Sequence, residues 1–571
     1  MAENTFTTWD GTQLFYRSWI PDQPTNKALL LFHRGHEHSG RWQEVVELLQ
    51  LNDVTVFAWD ARGHGKSPGE RGSARNLIDL VKDTDAFVRH VSETSRIPVE
   101  NMVVLAHSVG AVTTVAWVHD FAPRIRGLIL GTPAFRVKLY IPFAIPLLRL
   151  KQKLFGPGYV KSYVKARVLT HDPDQVKKYN ADPAIFRQIA VNILLDLFDT
   201  STRLLADAGA ITVPTLILGA GSDWVVKLPA QKIFFDRLSS PIKEMEVYPA
   251  TFHALFQEKH RQQIIDRTRK FILDRFREIP SPPSLVNADK SGYTKAEFDR
   301  LSGPGNPFYL LTKASMKTLG QLSKGIQLGW HDGFDSGVTL DYVYTNRPQG
   351  LTPLGRWMDR CYLESIGWRG IRQRKANLEK ILRETIQKLH TSGIPVRIVD
   401  IAMGGGRYVL ETMKLLQAIP ATALLRDYKQ VNIDAVTRLA GELGLTNRVK
   451  IAQGDAFDRA SLASITPKPT IAIVSGLYEL FPSNEPVLNS LRGLADVIEP
   501  GGWLIYTNQP WHPQVEFIAR VLTNREGKPW IMRRRTQAEM DELVRTAGFE
   551  KVGMDIDAWG IFTVSIARRT T

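Results

Sequence analysis

Along this chain, apolar β-prone runs alternate with amphipathic helix-like runs, and the series occurs twice. That doubled rhythm is the strongest constraint on the fold. The first series covers about 1–278, with short buried strands read in KALLLFHRG, VTVFAWDARGHG, MVVLAHSVG, IRGLILGTPA, PTLILGAGSD and KEMEVYPA. Helix-like segments such as RWQEVVELLQ and NLIDLVKDTDAFVRHVSET lie between them. Strand–helix alternation of this kind predicts a parallel sheet covered by helices on both faces, an α/β architecture. The run 133–210 interrupts it and reads as a mainly helical insertion between strands. Around 279–310 the texture changes to Pro, Gly, Ser and Asp, giving a linker over 279–290 and an ordered lead-in to 308. A helical region follows over about 309–394. The second alternating series opens at VRIVDIAMGGG and runs from 395 to 571. No internal repeat or low-complexity tract is present. The 571 residues therefore divide into two large units.

Within the first series, Ala106-His107-Ser108-Val109-Gly110 follows a strand and precedes the helix-like AVTTVAWVHDF. This is the pattern of a nucleophile elbow, a strained strand-to-helix turn that lifts a serine hydroxyl above the sheet. Small residues are needed at 106 and 110 because the turn crowds neighbouring backbone. An acid and then a histidine should follow later strands. Asp223 stands just beyond PTLILGAGS, and His253 stands in the loop after EVYPA. Two backbone N–H groups should hold the oxyanion, one from Val109 and one from Gly35 in the loop FHRGHEHSGRW.

With these go His33-Arg34-Gly35-His36-Glu37-His38-Ser39-Gly40-Arg41-Trp42 and Asp60-Ala61-Arg62-Gly63-His64-Gly65-Lys66-Ser67. Together they make residues 1–278 resemble the monoacylglycerol-lipase-like serine hydrolases of the α/β-hydrolase fold. The resemblance implies Ser108 as nucleophile, His253 as general base and Asp223 as its orienter. It also implies cleavage of an acyl ester of a lipid such as a monoacylglycerol or lysophospholipid. Two residues depart from the pattern: Ala106 replaces a glycine, and Arg34 stands where the family usually has one.

The insertion at 133–210 falls where such enzymes carry a lid. The chain has a formal net charge of +15, and residues 133–178 hold ten Lys and Arg against two Asp, more than half of that excess. In FRVKLYIPFAIPLLRLKQKLF an apolar run is flanked by Arg136, Lys138, Arg149, Lys151 and Lys153. One reading is a lid that dips into an anionic lipid surface; the other is a lid packed on its own core with solvated lysines. Nucleic acid is the weaker partner, since no reader motif accompanies the charge. No apolar stretch is long enough to span a bilayer, and the start has no basic-then-apolar pattern, so a cytoplasmic protein is expected. Cys361, the one cysteine, excludes a disulfide framework or a cysteine-rich metal site.

In the second series, Val396–Asp400 reads as a buried strand ending in an acid. The glycine-rich turn Ile401-Ala402-Met403-Gly404-Gly405-Gly406 follows, then the helix-like RYVLETMKLLQ. Such a turn lets a nucleotide-like ligand approach the backbone. The nicotinamide fingerprint fails because position 409 is Val, and Asp400 at the strand end fits S-adenosylmethionine better. The next strand ends at Asp427, placed for ribose hydroxyls, and the third at Asp455 and Ala456, placed for adenine. The fourth leads into Ser475-Gly476-Leu477-Tyr478-Glu479. Seven strands closing in KVGMDID and GIFTVSIARR make 395–571 similar to the class I S-adenosylmethionine-dependent methyltransferases. The resemblance implies a Rossmann-like seven-stranded domain, cofactor contacts at Asp400, Ala402, Gly404, Gly406, Asp427, Asp455, Ala456 and Ser475, and methyl transfer to an unnamed acceptor. Tyr342, Tyr344, Arg360 and Arg372, in an aromatic and Arg-rich stretch, are candidates for the acceptor side or for core and surface. Tyr478, Glu479 and His512 are the candidate bases. Because no base is evident, a second reading makes this half a cofactor-binding or partner-binding regulatory module. As a whole, the chain is similar to bacterial fusions of the two families.

Overall fold

The computed structural model describes residues 1–278, 283–350 and 352–570, which form two compact units, 1–283 and 284–571. In the first, the strands are β1 (Ala2–Thr7), β2 (Gln13–Trp19), β3 (Ala28–Phe32), β4 (Thr55–Trp59), β5 (Met102–His107), β6 (Gly127–Gly131), β7 (Tyr159–Lys161), β8 (Gln188–Ala190), β9 (Thr215–Ala220) and β10 (Lys243–Tyr248). Eight of them make one sheet in the order β1-β2-β4-β3-β5-β6-β9-β10. From β4 to β10 neighbours run parallel, while β1, β2 and β4 pair antiparallel. The central strands ALLLF, TVFAW, MVVLAH and GLILG are buried at every position, as a sheet covered on both faces requires. The hairpin β1–β2 extends beyond the strands expected from the sequence. It turns at Asp10-Gly11, where Gly11 takes φ +85° and the Asp10 carboxylate accepts from Thr12 N at 3.1 Å.

The insertion between β6 and β9 holds helices over Ala144–Phe155, Pro173–Ala181 and Val191–Ala206. It also holds the antiparallel pair β7–β8, which the helical reading lacked. Helix Val191–Ala206 buries Val191, Leu194, Leu195 and Leu205, whereas Ala144–Phe155 buries no residue.

In the second unit the strands are β11 (Val396–Asp400), β12 (Ala421–Asp427), β13 (Val449–Gln453), β14 (Ile471–Val474), β15 (Trp503–Asn508), β16 (Phe549–Ile556) and β17 (Thr563–Arg569). They form one sheet in the order β13-β12-β11-β14-β15-β17-β16, in which β17 runs antiparallel between β15 and β16. This is the expected seven-stranded α/β domain closed by a hairpin. The helix Ile366–Thr391 buries Ile371, Arg374, Leu378, Ile381, Leu382, Thr385, Ile386 and Leu389, the 3–4 spacing of a helix lying on a core. Residues 284–290, read from composition as linker, bond into this unit: Leu285 N donates to Glu542, and Asn484 donates to Val286 O and the Asp289 carboxylate. Of the linker expectation, residues 279–282 lie outside the described residues, as do position 351 and the terminal 571.

Candidate active sites

Ser108 sits between β5 and the helix Val109–Phe121 with φ +56° and ψ −114°, a region L-residues rarely occupy. The neighbouring backbone explains Gly110, because a Cβ there would lie 2.3 Å from His33 O. His253 Nε2 lies 2.8 Å from Ser108 Oγ, and its Nδ1 lies 2.8 Å from Asp223 Oδ2. The other Asp223 oxygen accepts from Val225 N at 2.6 Å and Val226 N at 3.0 Å. Burial alone would raise the Asp223 carboxyl, but the His253 ring and the two N–H groups outweigh it and hold the pKa below the usual range. The three residues named from the sequence therefore stand in one hydrogen-bonded row, all buried.

Gly35 lies against Val109, so close that a Cβ added at position 35 would stand 3.3 Å from the Val109 side chain, and its N–H has no acceptor among the described residues. Val109 opens a helix, where a first-turn N–H has no intrahelical carbonyl. His33 holds this loop: Ala61 N donates to its Nε2 at 3.0 Å, so its Nδ1 donates to Arg34 O at 2.8 Å. Burial keeps that ring neutral by lowering its pKa. Arg34 turns its Nε and Nη2 to the Glu37 carboxylate, both at 2.7 Å, and both residues are buried. Asp60 accepts from Ser39 N and Lys66 N at 2.6 and 2.8 Å and so ties the two sequence motifs together.

Sequence reasoning missed the supports behind the row. His107 Nε2 lies 2.9 Å from Thr132 Oγ1 and 3.0 Å from His253 O, and Thr132 Oγ1 also donates to His253 O at 3.1 Å. Burial, then the neighbouring His253, pushes the His107 pKa down to about 3, so it stays neutral. Glu258 accepts from Phe252 N at 3.0 Å in the same loop. The residue before the nucleophile was visible as part of the elbow, but nothing in its spacing announced a bond across the sheet.

In the second unit, Asp400, Asp427, Asp455 and Ser475 stand at or just past the carboxyl ends of four adjacent parallel strands, where ligands bind open α/β sheets. Asp400 is wholly buried, with one oxygen accepting from Tyr408 OH at 2.7 Å and the other from Ala402 N at 3.1 Å. Burial pushes its carboxyl up to about 7. It braces the turn from beneath. Gly404 has φ +53°, and a Cβ there would meet nothing within 4 Å, so the backbone faces open space that a bound nucleoside can approach. Gly406 at φ +62° caps the following helix. Asp427 accepts from Gly404 N, Lys429 N and Asn432 Nδ2 at 2.9–3.0 Å. Asp455 is exposed, with Phe457 N on one oxygen, and Ala456 is buried beside it. The residues present fit S-adenosylmethionine: an open glycine turn and a carboxylate at each of the next two strand ends.

Beside this row lies a cavity of about 390 Å³ lined by Trp357, Trp368, Arg374, Glu479, His512 and Trp530 among others. Glu479 and His512 are thus brought to it, while Tyr478 turns its hydroxyl to Ser490 at 2.9 Å. None of Tyr342, Tyr344, Arg360 and Arg372 lines it. Tyr342 donates to Asp359, and Arg372 donates to Leu363 O at 2.7 Å, so both are structural. On the helices that carry these four, other residues line it, among them Leu340, Trp357, Trp368 and Arg374.

Residues 268–569 match a family described as "Putative methyltransferase", and residues 23–260 match one described as "Serine aminopeptidase, S33". An Escherichia coli K12 protein described as "Uncharacterized protein YnbC" is 49% identical, with 100% of this chain and 98% of that one aligned. A monoacylglycerol lipase of Mycolicibacterium smegmatis is 26% identical across 48% of this chain and 97% of its own length. A crystal structure of Paleococcus ferrophilus monoacylglycerol lipase aligns with 46% of this chain and 99% of its own at 23% identity and a TM-score of 0.42.

Proposed function

The chain belongs to the methyltransferase family matched over 268–569 and joins it to a lipase-like α/β-hydrolase, and from that premise we propose a bifunctional lipid enzyme. Its first unit cleaves an acyl ester of a lipid such as a monoacylglycerol or lysophospholipid. Its second transfers a methyl group from S-adenosylmethionine. The observation that carries the reading is the row Ser108–His253–Asp223, with 2.8 Å at each link.

His253 Nε2 takes the Ser108 proton as Oγ attacks the ester carbonyl, and Asp223 holds the ring in the tautomer that leaves Nε2 free to accept. The developing oxyanion is met by Gly35 N–H and Val109 N–H. His253 returns its proton to the leaving alcohol, then activates water to free the acyl group. No thiol or metal enters these steps. In the second unit, Gly404 and Gly406 let the ligand approach the backbone, Asp427 meets the ribose hydroxyls, and Asp455 and Ala456 meet the adenine. Ser475 borders the reacting end. Bound S-adenosylmethionine supplies an electrophilic methyl group on sulfonium sulfur.

The lid supports a lipid surface as the place of work. Phe143, Leu147, Leu150, Leu154 and Phe155 are exposed together with Arg149, Lys151 and Lys153 on or beside the helix Ala144–Phe155. Such a face suits peripheral contact with an anionic membrane. The test is Ser108→Ala in the full chain. Hydrolysis of short aryl esters should fall by about 10³-fold or more, with S-adenosylmethionine binding by calorimetry unchanged. Unaltered hydrolysis sinks the ester reading, and absence of calorimetric binding sinks the methyl-transfer reading.

A further inference from the structure

We propose that the methyl acceptor is an amphiphilic lipid that enters the cavity of the second unit from an anionic bilayer, a step that rests on the methyl-transfer reading above. Three observations converge on it. The cavity is about 390 Å³, and its walls are largely aromatic and aliphatic: Trp368, Ile371, Phe517, Met532 and Phe562 leave few polar groups in reach of a ligand. Three buried polar atoms on its wall have no hydrogen-bond partner among the described residues: the acceptor Glu479 Oε2, the donor Trp530 Nε1 and the Tyr362 hydroxyl. Leaving a buried polar atom unpaired is costly, and a ligand's polar head in this cavity would satisfy these atoms. Arg374 lies 3.8 Å from the other Glu479 oxygen and keeps the carboxylate in place.

The third observation is the mouth. Trp357 is a wall residue and yet 63% exposed, so it stands at the opening. Met316, also on the wall, belongs to the helix Phe308–Thr318, which buries no residue and turns Phe308, Leu310 and Leu311 to solvent. That helix packs on the turn Leu319–Leu322, which packs on the helix Pro353–Leu363, and these add exposed Leu319 and Leu354. Six large apolar side chains are thus exposed on three touching elements, two of which also line the cavity. Lys313, Arg356 and Arg360 stand on the same elements without a carboxylate partner among the described residues. An apolar ring edged by unpaired cations is complementary to an anionic lipid surface and poorly suited to water.

The ligand's apolar body lies among the tryptophans, and its head presents an N–H or O–H to Glu479 Oε2. The head's heteroatom bonds to the methyl carbon as the carbon–sulfur bond breaks onto sulfur, and the displaced proton passes to the Glu479 carboxylate. The sulfonium becomes a neutral thioether, the carboxylate becomes an acid, and the acceptor remains neutral.

Cys361, the chain's one cysteine, is exposed and borders the cavity, so a polarity-sensitive fluorophore attached there reports on this surface alone. Phosphatidylglycerol vesicles should shift its emission to the blue and phosphatidylcholine vesicles should not. With unlabelled protein and tritiated S-adenosylmethionine, vesicles of bacterial lipid extract should yield label in the organic phase. Leu311→Glu with Leu354→Glu should reduce that label at least tenfold and abolish the blue shift. Glu479→Gln should lose the label but keep the shift. Calorimetric binding of S-adenosylmethionine should survive in both variants. A fluorophore that stays in a watery environment with both vesicles, one shielded instead by self-association of the protein, or label found only in protein or water-soluble products overturns the inference while cofactor binding still stands. Loss of cofactor binding in the unmodified chain overturns the underlying reading instead.

Discussion

Arg34 occupies a position where a glycine was expected, and the structure pairs its guanidinium with a carboxylate of the same loop. Its Nε and Nη2 bind the Glu37 carboxylate at 2.7 Å each, and Arg41 lies 3.4 Å from the same carboxylate. The pair is buried, so removing one partner strands a charge in a low dielectric. Arg34→Ala should therefore destabilise the first unit by about 3–5 kcal/mol in denaturant unfolding, and Arg34→Ala with Glu37→Ala should recover part of the loss. A second buried charge governs a pH effect. The Asp400 carboxyl, pushed up to about 7 by burial, binds its proton more tightly folded than unfolded. Stability from this group is therefore greatest in acid and falls as pH rises from about 4 to about 7. Asp400→Asn, which can still accept from Tyr408, should flatten the pH dependence of melting of the second unit between about pH 4 and about pH 7. An unchanged slope would place the effect elsewhere.

At the scale of elements, the lid helix Ala144–Phe155 has an apolar side and a cationic side but buries nothing. Its helicity lacks tertiary packing, the usual source of helix stability, and a lipid surface would supply it. Phe143→Glu with Leu147→Glu should lower hydrolysis of vesicle-borne esters about tenfold or more while leaving a soluble aryl ester unaffected, since neither residue touches the row Ser108–His253–Asp223. Equal losses on both substrates would mean that the lid shapes the acyl site instead. Which elements could be read from sequence follows from where their information lies. The buried strands and both glycine turns announce themselves in runs such as ALLLF and MGGGR. The hairpin β1–β2 does not: β1 has one buried residue, Phe6, and its order depends on register with β2 and β4. The pair β7–β8 has three residues per strand and joins segments 27 residues apart. Ser108, Asp223 and His253 could be named because each follows a legible strand. The walls of the cavity could not, because they come from positions between 316 and 562 that only the packed helices bring together.

For the whole molecule, the question is whether two chemistries on one chain share one stability. Each unit has its own sheet and its own buried cluster: Leu29, Leu31, Val103, Leu105 and Leu216 lie in one, and Ile398, Leu425, Ile471, Ile473 and Ile505 in the other. The sheets share no strand. Cooperative unfolding follows such contiguous cores, so the chain should melt in two transitions rather than one. Leu105 and Ile473 are each wholly buried, one in either core. Truncating a buried Leu or Ile to Ala costs about 2–5 kcal/mol through lost transfer energy and the cavity left behind. Leu105→Ala should thus lower one calorimetric transition by several degrees and leave the other in place, and Ile473→Ala should do the reverse. S-adenosylmethionine should raise only the transition that Ile473→Ala lowers, because a ligand stabilises the unit that binds it. A single transition moved equally by both substitutions would show instead that the two cores unfold as one, and the hydrolase would then share any stability gained from the cofactor.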